Sequence, residues 1–216
     1  MKLVKKDNKM KKIISLVSSL FLFSTIAAKA DTVIGVKVGE GTLDAEDVGT
    51  VNNQKGSQDA SATYASIFAE KELPVNLPFS LSAGIEYIPF KATIDIDTNN
   101  AGDYEGDLKN HTTIYLQGSK DLPNANVKLL GKIGMAYAKI SGVKSSNNTL
   151  SSSDSDVNGF AYGIALQKDL QTNYVDFVRV GADYIDYDTV EAKTSSNTYK
   201  ADATSKGIYL AVGKKF

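Results

Sequence analysis

Few residues in this sequence could do chemistry. Its 216 residues hold one histidine, His111 in "NHTTIYL", and no cysteine. Nucleophilic catalysis needs a hydroxyl or thiol beside a base that a third group orients. Thr113 would share a strand face with His111, but no strand-borne Ser or acid is evidently paired with it. The plainer reading is a histidine at the loop end of its strand. One histidine without cysteine offers no metal-ligand spacing, so neither a metal nor another cofactor is expected. The acidic stretches "DIDTNNAGDYEGD" (95–107) and "SSSDSD" (151–156) supply oxygen ligands that could hold Ca²⁺ loosely. Neither follows the twelve-residue calcium-loop pattern, and solvated loops are expected there.

Five charges are better placed. Lys37, Glu86, Lys132, Arg179 and Asp183 each interrupt a face of Gly, Ala and Ser near the middle of an alternating segment. Eight such segments follow residue 31, and no helical stripe of useful length does. The segments are "TVIGVKVG" (32–39), "SATYASIFA" (61–69), "PFSLSAGIEYIP" (78–89), "HTTIYLQG" (111–118), "VKLLGKIGMAYA" (127–138), "GFAYGIALQ" (159–167), "FVRVGADY" (177–184) and "GIYLAVGKKF" (207–216). Each puts bulky apolar residues on one face and small or polar residues on the other, the period-two signature of a strand. The segment at 61–69 is ambiguous, and Tyr64 with Phe68 marks the expected apolar face.

The connections alternate as well. Three similar short turns, "EKELPVN" (70–76), "SKDLPNAN" (119–126) and "QKDLQTN" (167–173), recur at intervals of 49 and 48 residues between Lys71, Lys120 and Lys168. Pro74, Pro123 and Asn173 are the expected turn formers. Between them lie long polar loops at 40–59, about 93–108, 141–156 and about 188–200.

The two faces settle which side is buried. An eight-stranded barrel has a lumen just wide enough for side chains to fill. Small residues with a few long ionic ones suit that lumen, and the bulky faces then point to lipid. Hydrocarbon offers no hydrogen-bond partners, so a closed ladder is required and charges must face inward. The five charges are expected to neutralise one another; the alternative is that they line a pore. Phe79, Tyr174 and Phe216 fall at the short-turn end, and Tyr87, Tyr137, Phe160 and Tyr184 at the long-loop end, as two interfacial girdles require.

Residues 1–30 read as an export signal: a basic start, an apolar run at 13–26, and Ala28 and Ala30 before a cut after Ala30. The run is shorter than the ~20 residues of a membrane-spanning helix, and Met10 offers a second start. Removing this segment leaves 17 basic against 24 acidic residues. Such a balance gives no basic patch for nucleic acid. The remaining 186 residues, 31–216, suit one domain.

With these features the chain resembles the small outer-membrane β-barrel proteins of Gram-negative bacteria, the OmpA/OmpX/opacity-like group. The C-terminal stretch resembles their assembly signal through Ile208, Leu210, Val212 and Phe216, with Lys214 a departure from it. The resemblance implies an eight-stranded antiparallel up-and-down barrel in the outer membrane, with periplasmic short turns and extracellular long loops. It also implies outer-membrane lipid and lipopolysaccharide as surroundings, and the barrel-assembly machinery as a partner in biogenesis. A monomeric, non-enzymatic role in membrane integrity, with loops that meet an extracellular ligand or host surface, is the expected function. A narrow channel is the first alternative. A lipid A-modifying enzyme centred on His111 and a soluble ligand-binding barrel come after it.

Overall fold

Alternation of bulky and small residues marks the belt portion of most strands. The computed structural model describes residues 32–47, 57–89, 92–96, 104–145, 155–170, 172–193 and 198–216. The expected export signal lies outside them, as do 97–103 and 151–154 of the two acidic stretches. Among these residues nine strands form: β1 (Thr32–Asp47), β2 (Ser57–Glu72), β3 (Ser80–Ile88), β4 (Ala92–Ile96), β5 (Tyr104–Leu122), β6 (Val127–Ser145), β7 (Ser155–Asp169), β8 (Phe177–Lys193) and β9 (Thr198–Lys215). β3 and β4 are two halves of one barrel strand. The interruption begins at Pro89, which has no backbone N–H for the ladder.

All pairings are antiparallel between neighbours in sequence, and β1 meets β9. β3 pairs β2 on one side and β5 on the other, which closes an eight-stranded up-and-down barrel. The outward face carries an apolar belt: Val36, Ile67, Ile133, Phe160, Ile164 and Leu210 are all exposed. Ile164 is 60% exposed in the absence of lipid, while its inward neighbour Ala165 is buried. That inversion is the mark of a barrel whose solvent is hydrocarbon.

The interior is filled by one recurring device. Each inward aromatic lies opposite a glycine on an adjoining strand. Phe68 faces Gly35 and Tyr64 faces Gly39 across β2–β1. Tyr115 faces Gly84 on β3 and Gly134 on β6. Phe177 faces Gly213 and Tyr209 faces Gly181 across β8–β9. A methyl group at Gly35 would fall 2.3 Å from the Phe68 ring, and one at Gly84 2.4 Å from that of Tyr115. The glycines therefore make room for the rings that fill the lumen.

This corrects the expectation for β2. Tyr64 and Phe68 point inward, and Ile67 is the residue on the lipid face. The period-two rule placed a ring outside because rings are apolar; the space above Gly35 and Gly39 draws both rings in.

The loops are also shorter than expected. Strands continue to Asp47, Ile96, Ser145 and Lys193, and resume at Ser57, Tyr104, Ser155 and Thr198. Beyond the belt the strand has no face in lipid, so the apolar alternation that identified strands is lost while the ladder continues. Here the wall divides. Pairing of β2 with β3 stops at Ile67↔Tyr87, and pairing of β7 with β8 stops at Gly159↔Tyr187. Among the described residues, β2-β1-β9-β8 continue as one four-stranded sheet and β4-β5-β6-β7 as another.

The three short turns differ from one another. A Val75 N–H to Leu73 carbonyl bond of 2.8 Å makes a three-residue turn centred on Pro74. Leu122–Ala125 is a β-turn with Pro123 second, followed by Asn126 in the left-handed region at φ 51°. In the third, Asn173 does not set the turn. Thr172 does, with its hydroxyl bonded to both the carbonyl and the N–H of Val175. Asn173 contributes its carbonyl, which accepts from Lys214 Nζ at 3.1 Å.

Candidate functional site in the lumen

Among the described residues, the lumen side chains come from all eight barrel strands and stack in three tiers. The lowest tier, toward the short turns, centres on Arg179 of β8. Its guanidinium donates to Glu70 of β2, Nη1 to Oε1 at 2.8 Å and Nη2 to Oε2 at 2.9 Å. Nε and Nη2 also donate to Gln167 Oε1 at 3.2 and 3.0 Å. The rings of Phe68 and Phe177 lie 5.3 and 5.1 Å from the guanidinium carbon. Tyr115 donates its hydroxyl to Glu70 Oε1 at 2.9 Å. Phe177 is fully buried and plugs this end.

The middle tier is a quartet of alternating charge. Lys37 of β1 sits 2.6 Å from both Glu86 of β3 and Asp183 of β8. Lys132 of β6 lies 2.9 Å from Asp183 and 3.5 Å from Glu86. Ser66 donates to Glu86 at 2.8 Å. Tyr209 covers Lys37 with its ring at 4.3 Å, and Tyr115 covers Lys132 at 5.0 Å. Two cations and two anions, each touching both opposites, leave no net charge at this level.

The top tier is where the two sheets begin to part. His111 of β5 and Tyr187 of β8 meet at 3.0 Å, Nε2 to hydroxyl, with their rings edge to face. Both are buried, and Ala136, Val157 and Ala203 pack with Tyr187. His111 therefore faces the lumen and not the loop base. Thr113 shares its face, as alternation requires.

Of the five charges singled out from sequence, four form the quartet and Arg179 does not. It lies one level down, and its partner Glu70 was hidden inside the first of the three similar turns. The signal for Glu70 was there: it shares a strand face with Phe68 and Ser66, where it cannot point to lipid. At the short-turn rim the lysines Lys71, Lys120 and Lys168 stand on the lipid-side parity of their strands and the following acids on the lumen side. Asp169 meets Lys128 at 3.1 Å and Lys215 at 3.2 Å. Partial burial pushes its carboxyl up, but the Gln167 amide and these lysines outweigh that and hold it below the usual range. Ile208 and Leu210 face outward, Val212 follows on the same face half-buried, and Phe216 is exposed at the end.

No family model and no curated protein sequence matches the chain. Solved structures of small outer-membrane barrels do. OprG from Pseudomonas aeruginosa matches with a TM-score of 0.54 at 16% identity, over 87% of this chain and 98% of that one. The outer membrane protein AlkL in lipid bilayers gives 0.49 at 10% identity, over 88% and 93%. Ail, the attachment invasion locus protein of Yersinia pestis, gives 0.44 at 14%, over 86% and 99%. The fold is that of the small eight-stranded outer-membrane barrels.

Proposed function

We propose that this protein is a non-enzymatic barrel of the bacterial outer membrane that reinforces the membrane and presents its long loops to the outside. The observation that carries this reading is the pairing of the lumen charges. Arg179 with Glu70, and Lys37 and Lys132 with Glu86 and Asp183, fill the cross-section that a solute would need. His111 spends Nε2 on Tyr187, and both acids of the quartet are held by lysines, which disfavours a hydrolytic role for any of them. The apolar belt supports insertion in a membrane, and OprG supports an outer membrane in particular by fold. In this reading the short turns are periplasmic, Phe216 ends the signal for the assembly machinery, and lipopolysaccharide surrounds the outer half of the belt.

Fractionation of cells that express the protein tests this. It should be found with outer membranes, need detergent for release, and run faster on gels unheated than boiled. A deletion strain should become more sensitive to detergents and bulky antibiotics, while its lipid A keeps the same mass. Recovery in the periplasm without detergent, or altered lipid A, would overturn the proposal.

A further inference from the structure

Between the quartet and the His111–Tyr187 pair lies a cavity of about 80 Å³. One water needs roughly 10–15 Å³ of such space, so there is room for a small molecule. The walls are mostly hydrocarbon, with the hydroxyl-bearing side chains of Thr42, Thr113, Ser205, Tyr64 and Tyr187 among them. Leu43 and Ile185 come from one of the two sheets, Leu108 and Ala161 from the other, and Ile88 from the strand between them. The floor is the quartet, in which each ammonium already touches two carboxylates.

Among the fully buried polar atoms that the described residues bring to this cavity, two have no hydrogen bond: Asp183 Oδ1 in the floor, which lies 2.9 Å from Lys132 Nζ as an ion pair, and His111 Nδ1 in the wall, which has no such counterpart. His111 is 6% exposed, its Nε2 meets Tyr187, and its Nδ1 has no hydrogen-bond partner. Either tautomer leaves Nδ1 wanting: it is a donor if the Tyr187 hydroxyl donates to Nε2, and an acceptor if Nε2–H donates. The backbone is shaped to bring this ring in. Lys109 pairs with Lys139 and Thr112 with Tyr137, so Asn110 and His111 together oppose Ala138 in a β-bulge. Asn110 sits in the left-handed region at φ 53°. In an unbroken strand Leu108 and His111, three apart, would face opposite sides; the bulge lets both line the cavity.

We propose that this cavity binds a small uncharged molecule with one hydrogen-bonding group and a short hydrocarbon part, of the short-chain alcohol class. The hydrogen-bonding group meets His111 Nδ1 and the hydrocarbon part fills the space between Leu108 and Ile185. A charged ligand is rejected, because apolar walls desolvate it and the neutral floor offers no counter-ion. This holds whether or not the barrel has the outer-membrane role proposed above.

The single histidine makes the test direct. The barrel is labelled with ¹⁵N-histidine, folded in micelles, and titrated with 1-propanol, propionate or propylammonium while the ring nitrogens are followed. The expected result is a saturable shift of Nδ1 with 1-propanol alone. Filling the cavity with Ile88→Phe, or with Leu108→Phe should the first variant not fold, abolishes the saturation. A shift that rises linearly, that the ions reproduce, or that saturates unchanged in the folded filled variant overturns the proposal.

Discussion

Arg179 and Glu70, 109 positions apart in sequence, meet across the lumen through two parallel hydrogen bonds of 2.8 and 2.9 Å. Planar guanidinium and carboxylate match in this geometry, and both groups are buried. Removing one member strands the other in a dry interior. Glu70→Ala is expected to lower the unfolding free energy by about 3–5 kcal/mol, whereas Glu70→Leu with Arg179→Met recovers most of that loss. Urea unfolding of the barrel refolded in vesicles measures both. A double variant as unstable as the single one would contradict the pairing.

Glycines on the two faces should respond oppositely to a methyl group. At Gly134 a Cβ would fall 2.3 Å from the Ile114 carbonyl oxygen and 2.7 Å from Tyr115 Cβ. At Gly131, on the lipid side of the same strand, it would meet nothing within 4 Å. Gly134→Ala is expected to prevent folding or to cost several kcal/mol, in the range of overpacked cores at about 1–3 kcal/mol or more. Gly131→Ala stays within about 0.5 kcal/mol of the parent. Heat-modifiable gel mobility and urea midpoints compare the two.

A single lysine reads out which face meets lipid. Ile164 is 60% exposed in the middle of the outer belt of β7. Ile164→Lys should cost about 2–4 kcal/mol in a bilayer, the expense of a cation at mid-depth. The same change at Tyr174, 88% exposed in the third short turn, should cost almost nothing. If both are tolerated equally in vesicles, the apolar belt is not embedded.

The chain end separates assembly from stability. Phe216 is 69% exposed. Phe216→Ala is expected to reduce insertion in cells several-fold, while the variant folded in vitro keeps a urea midpoint close to that of the parent. Equal insertion of both would remove Phe216 from the assembly signal.

Much of this architecture was legible because lipid enforces period two. On β1, β7 and β9 the outward residues Val36, Ile164 and Leu210 are bulky and apolar and have at least one small neighbour each, Gly35, Gly163 with Ala165, and Ala211, so strands and faces followed directly from the sequence. The alternation failed where a ring was drawn inward. Phe68 looks like a lipid-facing residue until Gly35, more than thirty positions earlier, is known to lie opposite it. The strand ends failed for the complementary reason: beyond the belt both faces are outside lipid, and Thr, Ser and Asp no longer mark a side. Within the lumen the charges were visible but their partners were not. Glu86 and Asp183 come together with Lys37 only through register across several strands, and Glu70 belonged to a turn motif until β2 was seen to run through it. The bulge at Asn110–His111 has no sequence signature beyond an asparagine, which tolerates positive φ, and it is what turns His111 and Leu108 to one side.

Recording from the pure protein in a planar bilayer tests most directly whether the lumen is closed by its two ionic tiers. The account predicts insertion without steady conductance steps, and the appearance of steps only when both tiers are opened, the lower by Arg179→Ala with Phe177→Ala and the middle by Lys37→Ala with Glu86→Ala. Steady conductance of the unaltered protein, changed in ion preference by charge reversal at Glu86 or Arg179, would contradict a closed lumen and make the barrel a channel.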